Sequence, residues 1–276
     1  MGLMSENKEI SALFTLLDDN PEIANSALQR LLNYPLEDLS PFLAESREQG
    51  SDLFRKRLHQ LESILTIRER RKLFLRNLED GKFDFATGLA EVHLLWYDND
   101  SLPELLRLEE EFFAAADKYA IETLPLMAYY LPKNKYRAIP EGELNADYYC
   151  IGSVLEDKIG IDFIFCGLIC ELGRRHNLKL RMCRQIGRWA VVDEERKNIL
   201  IPAEDWQIMG YTSAEDMQFY ELKHILKLAA LNLFLSAVSS DSFRYIYTIG
   251  SAISGRAEDE KLDFLPYPYG GEKKNE

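Results

Sequence analysis

A chain of 276 residues that is 46% hydrophobic and 29% charged has globular balance and is long enough for one large domain or two smaller ones. At that size roughly three-quarters of the unfolded surface is buried on folding, so no disulfide or metal staple is required. The formal charge of −13 excludes a general nucleic-acid binder, whose phosphate contacts need basic surface, and sets the chain against anionic membranes.

The four cysteines, at positions 150, 166, 170 and 183, do not make a disulfide framework in a chain this long. Cys166 and Cys170 lie in an apolar segment, as thiols of a reducing compartment do. The start, MGLMSENKEI, has neither the basic nor the apolar region of a secretory signal. Gly2 and Ser5 fall near the slots of an acylation motif, but the surrounding Met and acidic residues match it poorly. No apolar run is expected to reach the roughly 18 residues of a membrane span, so the expected location is cytoplasmic.

The first half predicts helices. Asn20 and Pro21 read as an N-cap and a first helical residue, followed by Ile23, Ala24, Ala27, Leu28, Leu31 and Leu32 at helical spacing. LEDLSPFLAESREQ predicts a second short helix, and the charged stretch from Ser51 to Asp80 a long third one. These hairpins resemble HEAT-type pairs, but fewer than three clear periods are present. The basic clusters RKRLHQ and RERRK on the long helix are expected to form a solvated face. FATGLAEVHLLWYDND and SLPELLRLEEEFFAAADKYAI continue the helices, the latter capped by Ser101. Pro125, Pro132 and Pro140 suggest a loop-rich bridge over residues 124–149. Residues 148–176 then read as two helices broken at Gly160. LKLRMCRQIG, RWAVVDEE and KNILIP switch to a β pattern and predict an antiparallel meander. Residues 214–255 predict a closing helical pair, and the polar tail at 259–276 is expected to be disordered. The fold class is therefore α+β, mostly α. The expected division is a helical region over 1–124, a core over 125–258, and the tail.

Three stretches in this order carry a resemblance: LLDDNPEIANSAL, then VLEDKIGIDFIFCGLICELGRRHNLKL, then HILKLAALNLFLSAV around Asn232 and Leu233. Together they make residues 10–255 similar to the SirB family of bacterial proteins with a transglutaminase-like core. The resemblance implies a nucleophile-type helix packed on a small antiparallel sheet and followed by a helical pair. It also implies where catalytic residues would stand. The nucleophile slot after Gly160 falls on Asp162, the general-base slot on Arg188 and the orienting-acid slot on Ile201. A carboxylate is a weak nucleophile for acyl transfer, a guanidinium stays protonated at neutral pH, and an isoleucine orients nothing. The expectation is a pseudoenzyme, a degenerate core that has kept the frame of an active site and lost its chemistry.

Cys166, one turn beyond Asp162, is the low-ranking alternative nucleophile. Among Phe163, Phe165, Leu168 and Ile169 it reads instead as a small buried hydrophobe. Ligation of a metal by the four cysteines would need spacings this chain lacks, so neither metal nor cofactor is expected. None of His59, His93, His176 and His224 has an evident Cys or Asp partner in the sequence. His93 reads as a satisfied core residue and His176 as a helix-end cap.

Between residues 174 and 188 stand Arg174, Arg175, Lys179, Arg181, Arg184 and Arg188, with no acid among them. One reading makes Asp162, Arg181, Arg184 and Arg188 the lining of an anion or partner site, with Asp162 and Arg188 paired on its floor. The other has these cations neutralising the acidic N-terminal half. The expected function is binding of a protein partner or a small anionic ligand at the former catalytic cleft. The alternatives are a thiol-dependent hydrolase or acyltransferase using Cys166, and a helical scaffold for protein partners.

Overall fold

The computed structural model describes residues 2–46, 50–119, 121–211 and 217–254, with side chains from residue 7 onward. The expected disordered tail and the side chains of the Gly2–Ser5 acylation slot lie outside the described residues. The architecture is α+β and mostly helical, with a small antiparallel sheet.

The chain divides into two compact units, 1–70 and 71–276. The first contains α1 (Gly2–Thr15), a 3-10 turn at Leu16–Asp18, α2 (Pro21–Leu31) and α3 (Leu36–Ser46). The division falls within α4 (Asp52–Glu79), and the expected boundary at 124/125 lies inside the second unit. Asn20 caps α2, its side-chain oxygen accepting from the N–H groups of Glu22 and Ile23 at 3.1 Å each. The core of this unit gathers Leu13, Leu17, Leu28, Leu31, Leu39, Leu58 and Leu61. The basic clusters of α4 are not wholly solvated. Arg57 is buried because it donates to the carbonyls of Leu17 and Asp19, both at 2.7 Å, where the 3-10 turn leaves acceptors without partners. Arg71 is also buried, with its guanidinium 5.4 Å from the centre of the Tyr247 ring.

The second unit begins its helices with α5 (Phe85–Leu94), capped by Asp84, and α6 (Leu102–Asp117), capped by Ser101. The expected bridge then departs from a loop. Thr123 accepts from the Leu126 N–H and Pro125 sits in the first turn of α7 (Leu124–Lys133), so this proline starts a helix rather than interrupting one. Strand β1 (Arg137–Ile139) follows, and then α8 (Ile151–Asp157). Gly160 is not a simple break between helices. It lies in β2 (Ile159–Ile161), which pairs in parallel with β1 through Ala138 opposite Gly160. Helix α9 (Asp162–Arg175) begins at the next residue.

The meander is β3 (Leu180–Gln185), β4 (Arg188–Asp193) and β5 (Asn198–Ile201), extended by β6 (Gln207–Gly210) and β7 (Met217–Phe219) to the order β6-β5-β4-β3-β7. The expected helix start around residue 214 is therefore corrected. Met217 buries and Phe219 pairs with Cys183, so this segment closes the sheet edge before α10 (Leu222–Ser239) and α11 (Phe243–Ser254). Alternation divides the sheet cleanly. Met182, Trp189, Val191 and Leu200 join the large core with α9, whereas Cys183, Ala190, Val192 and Ile201 form a smaller cluster on the other face.

Contrary to the expectation from sequence, α10 is long and apolar enough by length and composition to cross a membrane. In this fold it packs with α5, α9 and α11, burying Ile225, Leu226, Ala229, Ala230, Leu233 and Ala237.

Glu109 on α6 is 1% exposed, and neither carboxyl oxygen has a hydrogen-bond partner among the described residues. Burial, followed by the nearby Asp84 and Glu171, raises its pKa from 4.5 to about 9, so the folded protein keeps a proton there at neutral pH. The unfolded chain releases that proton near the ordinary value. Stability is therefore fully present below pH 4.5 and declines as pH rises toward 9. Denaturant unfolding should find Glu109→Met more stable than the parent at pH 8, with the gap growing by up to about 1.4 kcal/mol per pH unit from pH 5. A gap that does not change with pH would show the carboxyl to be ionised in the fold.

The β3–β4 turn holds a second local conflict. Ile186 has φ +47° and Gly187 φ +78°, the left-handed pair of a tight hairpin, although a β-branched residue resists that region. Ile186 is also 87% exposed, so packing does not offset the strain. Ile186→Asn, which makes the favoured Asn-Gly turn, should raise stability by about 1 kcal/mol, read from the shift in denaturation midpoint.

Candidate functional site

A cavity of about 440 Å³ opens where the loop after β1, the start of α9, the β3–β4 hairpin and α10 meet. Glu141, Leu144, Asp162, Arg184, Arg188 and Leu235 are among its walls. Three of the expected residues thus meet in one place: Asp162, Arg184 and Arg188.

Asp162 is the first residue of α9 and only 2% exposed. One carboxyl oxygen accepts from the Phe163 N–H at 2.9 Å, and the Glu141 backbone supplies a further bond. Desolvation outweighs these bonds and raises the group to about 7, with the negative Glu141 adding to the rise and Arg184 opposing it. Asp162 and Arg188 do not form the expected pair. Arg188 turns to Glu204, with Nε 3.4 Å from the carboxylate, while Arg184 is the cation that acts on Asp162. The Arg184 guanidinium binds Glu141 at 2.6 Å and lies 5.2 Å from the Trp189 ring centre, and the Trp189 indole N–H donates to the same Glu141 oxygen at 2.9 Å. This makes a braced triangle of one acid, one base and one aromatic ring.

Arg181 does not line the cavity. The two-residue period of β3 turns Arg184 to the α9 face with Met182, and Arg181 to the opposite face with Cys183. There Arg181 pairs with Glu194 at 2.7 Å and stacks 3.8 Å over Phe219. Ile201, the residue in the orienting-acid slot, is likewise buried in the cluster away from α9.

The basic run is neutralised, but mostly by local acids rather than by the N-terminal half. Arg174 binds Glu171, Lys179 binds Glu195, and Arg181, Arg184 and Arg188 bind Glu194, Glu141 and Glu204. Only Arg175 reaches back to an earlier helix, to Glu110 at 2.6 Å.

Cys166 is fully buried in the large core. Burial first, and then Asp162, Cys170 and Cys183, push its thiol well above the ordinary value. All four cysteines are free thiols. Among the described residues no three His, Cys, Asp or Glu side chains are grouped to hold a metal ion.

Two histidines do have acidic partners, contrary to the sequence reading. His93 is buried; its Nε2 lies 2.9 Å from Asp100, and its Nδ1 accepts from the Gly152 N–H at 3.3 Å. Burial lowers its pKa, which fixes a neutral ring with both nitrogens occupied. A Cβ at residue 152 would lie 2.8 Å from that ring, so glycine is required for the contact. His176 ends α9 with its Nε2 3.0 Å from Asp117.

Glu141, Trp189 and Leu235 were not legible as site residues, because they come from a loop, a strand and a helix far apart in sequence. Asn232, singled out as part of the Asn-Leu pair, also lines the cavity and donates to the Leu228 carbonyl at 2.9 Å. On the first unit a smaller cavity of about 290 Å³ is lined by Leu13, Leu16, Ile23 and Ala27, with Glu22 and Arg30 among its charged residues.

No protein-family model, curated protein or solved structure matches this chain.

Proposed function

We propose that the protein acts by binding, not by acyl transfer, and that the cavity at Asp162, Arg184 and Arg188 receives a small anion or an acidic group of a protein partner. The frame is read as a degenerate transglutaminase-like core of SirB type, with α9 as the former nucleophile helix. Its packing against β3 and β4 supports that reading. The observation that carries the function is the half-exposed Arg188 in a cavity whose nearest helix offers a carboxyl, not a thiol. Guanidinium recognises carboxylate and phosphate oxygens through a planar fork of donors. A second reading, a helical scaffold for protein partners, is favoured by the partly exposed Leu16 and Ile23 at the cavity of the first unit.

Titration with acetate should move the Trp189 indole resonance, because Trp189 shares Glu141 with Arg184, and Arg188→Gln should remove the response. An indole signal indifferent to acetate and inorganic phosphate alike would overturn the anion site. Iodoacetamide at neutral pH should alkylate Cys166 more slowly than free cysteine; fast, saturable labelling there would restore the thiol enzyme.

A further inference from the structure

The cavity combines a loosely held cation with apolar wall. Arg184 is held by Glu141 at 2.6 Å, its buried Nε having no hydrogen-bond partner among the described residues, whereas Arg188 meets Glu204 only at 3.4 Å, longer than an ordinary hydrogen bond, and its side chain is half-exposed. Leu144 and Leu235, both 42% exposed, stand in the same wall. Leu231 and Val238 continue the exposed stripe of α10 at helical spacing from Leu235. Ile186, strained and almost wholly solvent-exposed, adjoins the wall residue Gly187. Strain kept at an exposed β-branched residue beside a cavity has no packing purpose in the protein itself.

Resting on the anion-site reading above, we propose that the cavity takes a monocarboxylate with an apolar body, its head on Arg188 and its body along Leu144, Leu235 and Ile186. A planar carboxylate matches the guanidinium fork. A dianion such as phosphate is disfavoured because Glu141 and Asp162 stand in the same wall. The apolar body covers leucines that otherwise face water, which favours binding through the removal of apolar surface from solvent.

Calorimetric titration of the full chain with sodium octanoate, sodium acetate and octanamide tests this. Octanoate should bind at least about tenfold more tightly than acetate, and octanamide at least about tenfold more weakly than octanoate. Arg188→Gln should remove octanoate binding. Ile186→Asn should weaken it several-fold although the variant is the more stable protein, which separates a contact from a folding defect. A peptide ending in two leucines, with a free or an amidated terminus, tells the source of the carboxylate. Tighter binding than octanoate by the free form alone supports the proposal with a chain end as ligand, and no binding by either form supports it with a small acid. If octanoate binds no better than acetate while acetate still requires Arg188, the apolar body is wrong and the anion site stands. Equal binding of octanoate and octanamide removes the carboxylate. Silence from both acetate and octanoate removes the anion site itself.

Discussion

Helix α9 has no polar side over its first two turns, and the second unit is arranged around that fact. From Asp162 to Ile169 every residue is buried, so this segment must be covered all round. The α9-facing side of the sheet supplies Met182, Trp189, Val191 and Leu200 to the same core, and α10 supplies Ile225, Leu226, Ala229 and Leu233. The Phe85 ring of α5 reaches α9 so closely that a Cβ at Gly167 would lie 2.3 Å from it. A side chain there would have to displace that ring, so the glycine makes room for Phe85 against α9.

The same burial sets the chemistry at the start of the helix. The first-turn position puts the Asp162 carboxyl beside free N–H groups, which favour its charge, while the surrounding core withholds water, which opposes it. The second effect prevails, and the group titrates near neutrality. One turn deeper no such balance exists. Cys166 has only apolar neighbours and other weak acids around it, so its sulfur behaves as packing material. Cavity and core thus meet at Asp162.

Local signals, caps and alternation above all, matched local structure. Asn20 and Ser101 cap the helices expected to follow them, and alternation along LKLRMCR placed Cys183 opposite Met182 as found. Non-local pairing was illegible. Gly160 reads as a helix breaker until Arg137–Ile139 is available to pair with it, and Met217–Phe219 reads as helix until the edge of β3 is free to receive it. Pro125 misled for a different reason, since a proline signals a helix start or a loop depending on the cap before it. At the site, strand parity would have separated Arg181 from Arg184 at once, because they are three residues apart. Glu141 could not have been found this way, since only the folded loop brings it to Arg184 and Trp189.

The unpartnered carboxyl of Glu109 has a consequence for the charge of the whole molecule. The formal value of −13 counts every acid as ionised, which describes the unfolded chain at neutral pH better than the folded one. Folding takes up a proton at Glu109 and a share of another at Asp162, so the native protein is less acidic than its composition. Unfolding near neutrality therefore acidifies the solution, and the heat it absorbs in a calorimeter depends on the ionisation enthalpy of the buffer that accepts those protons.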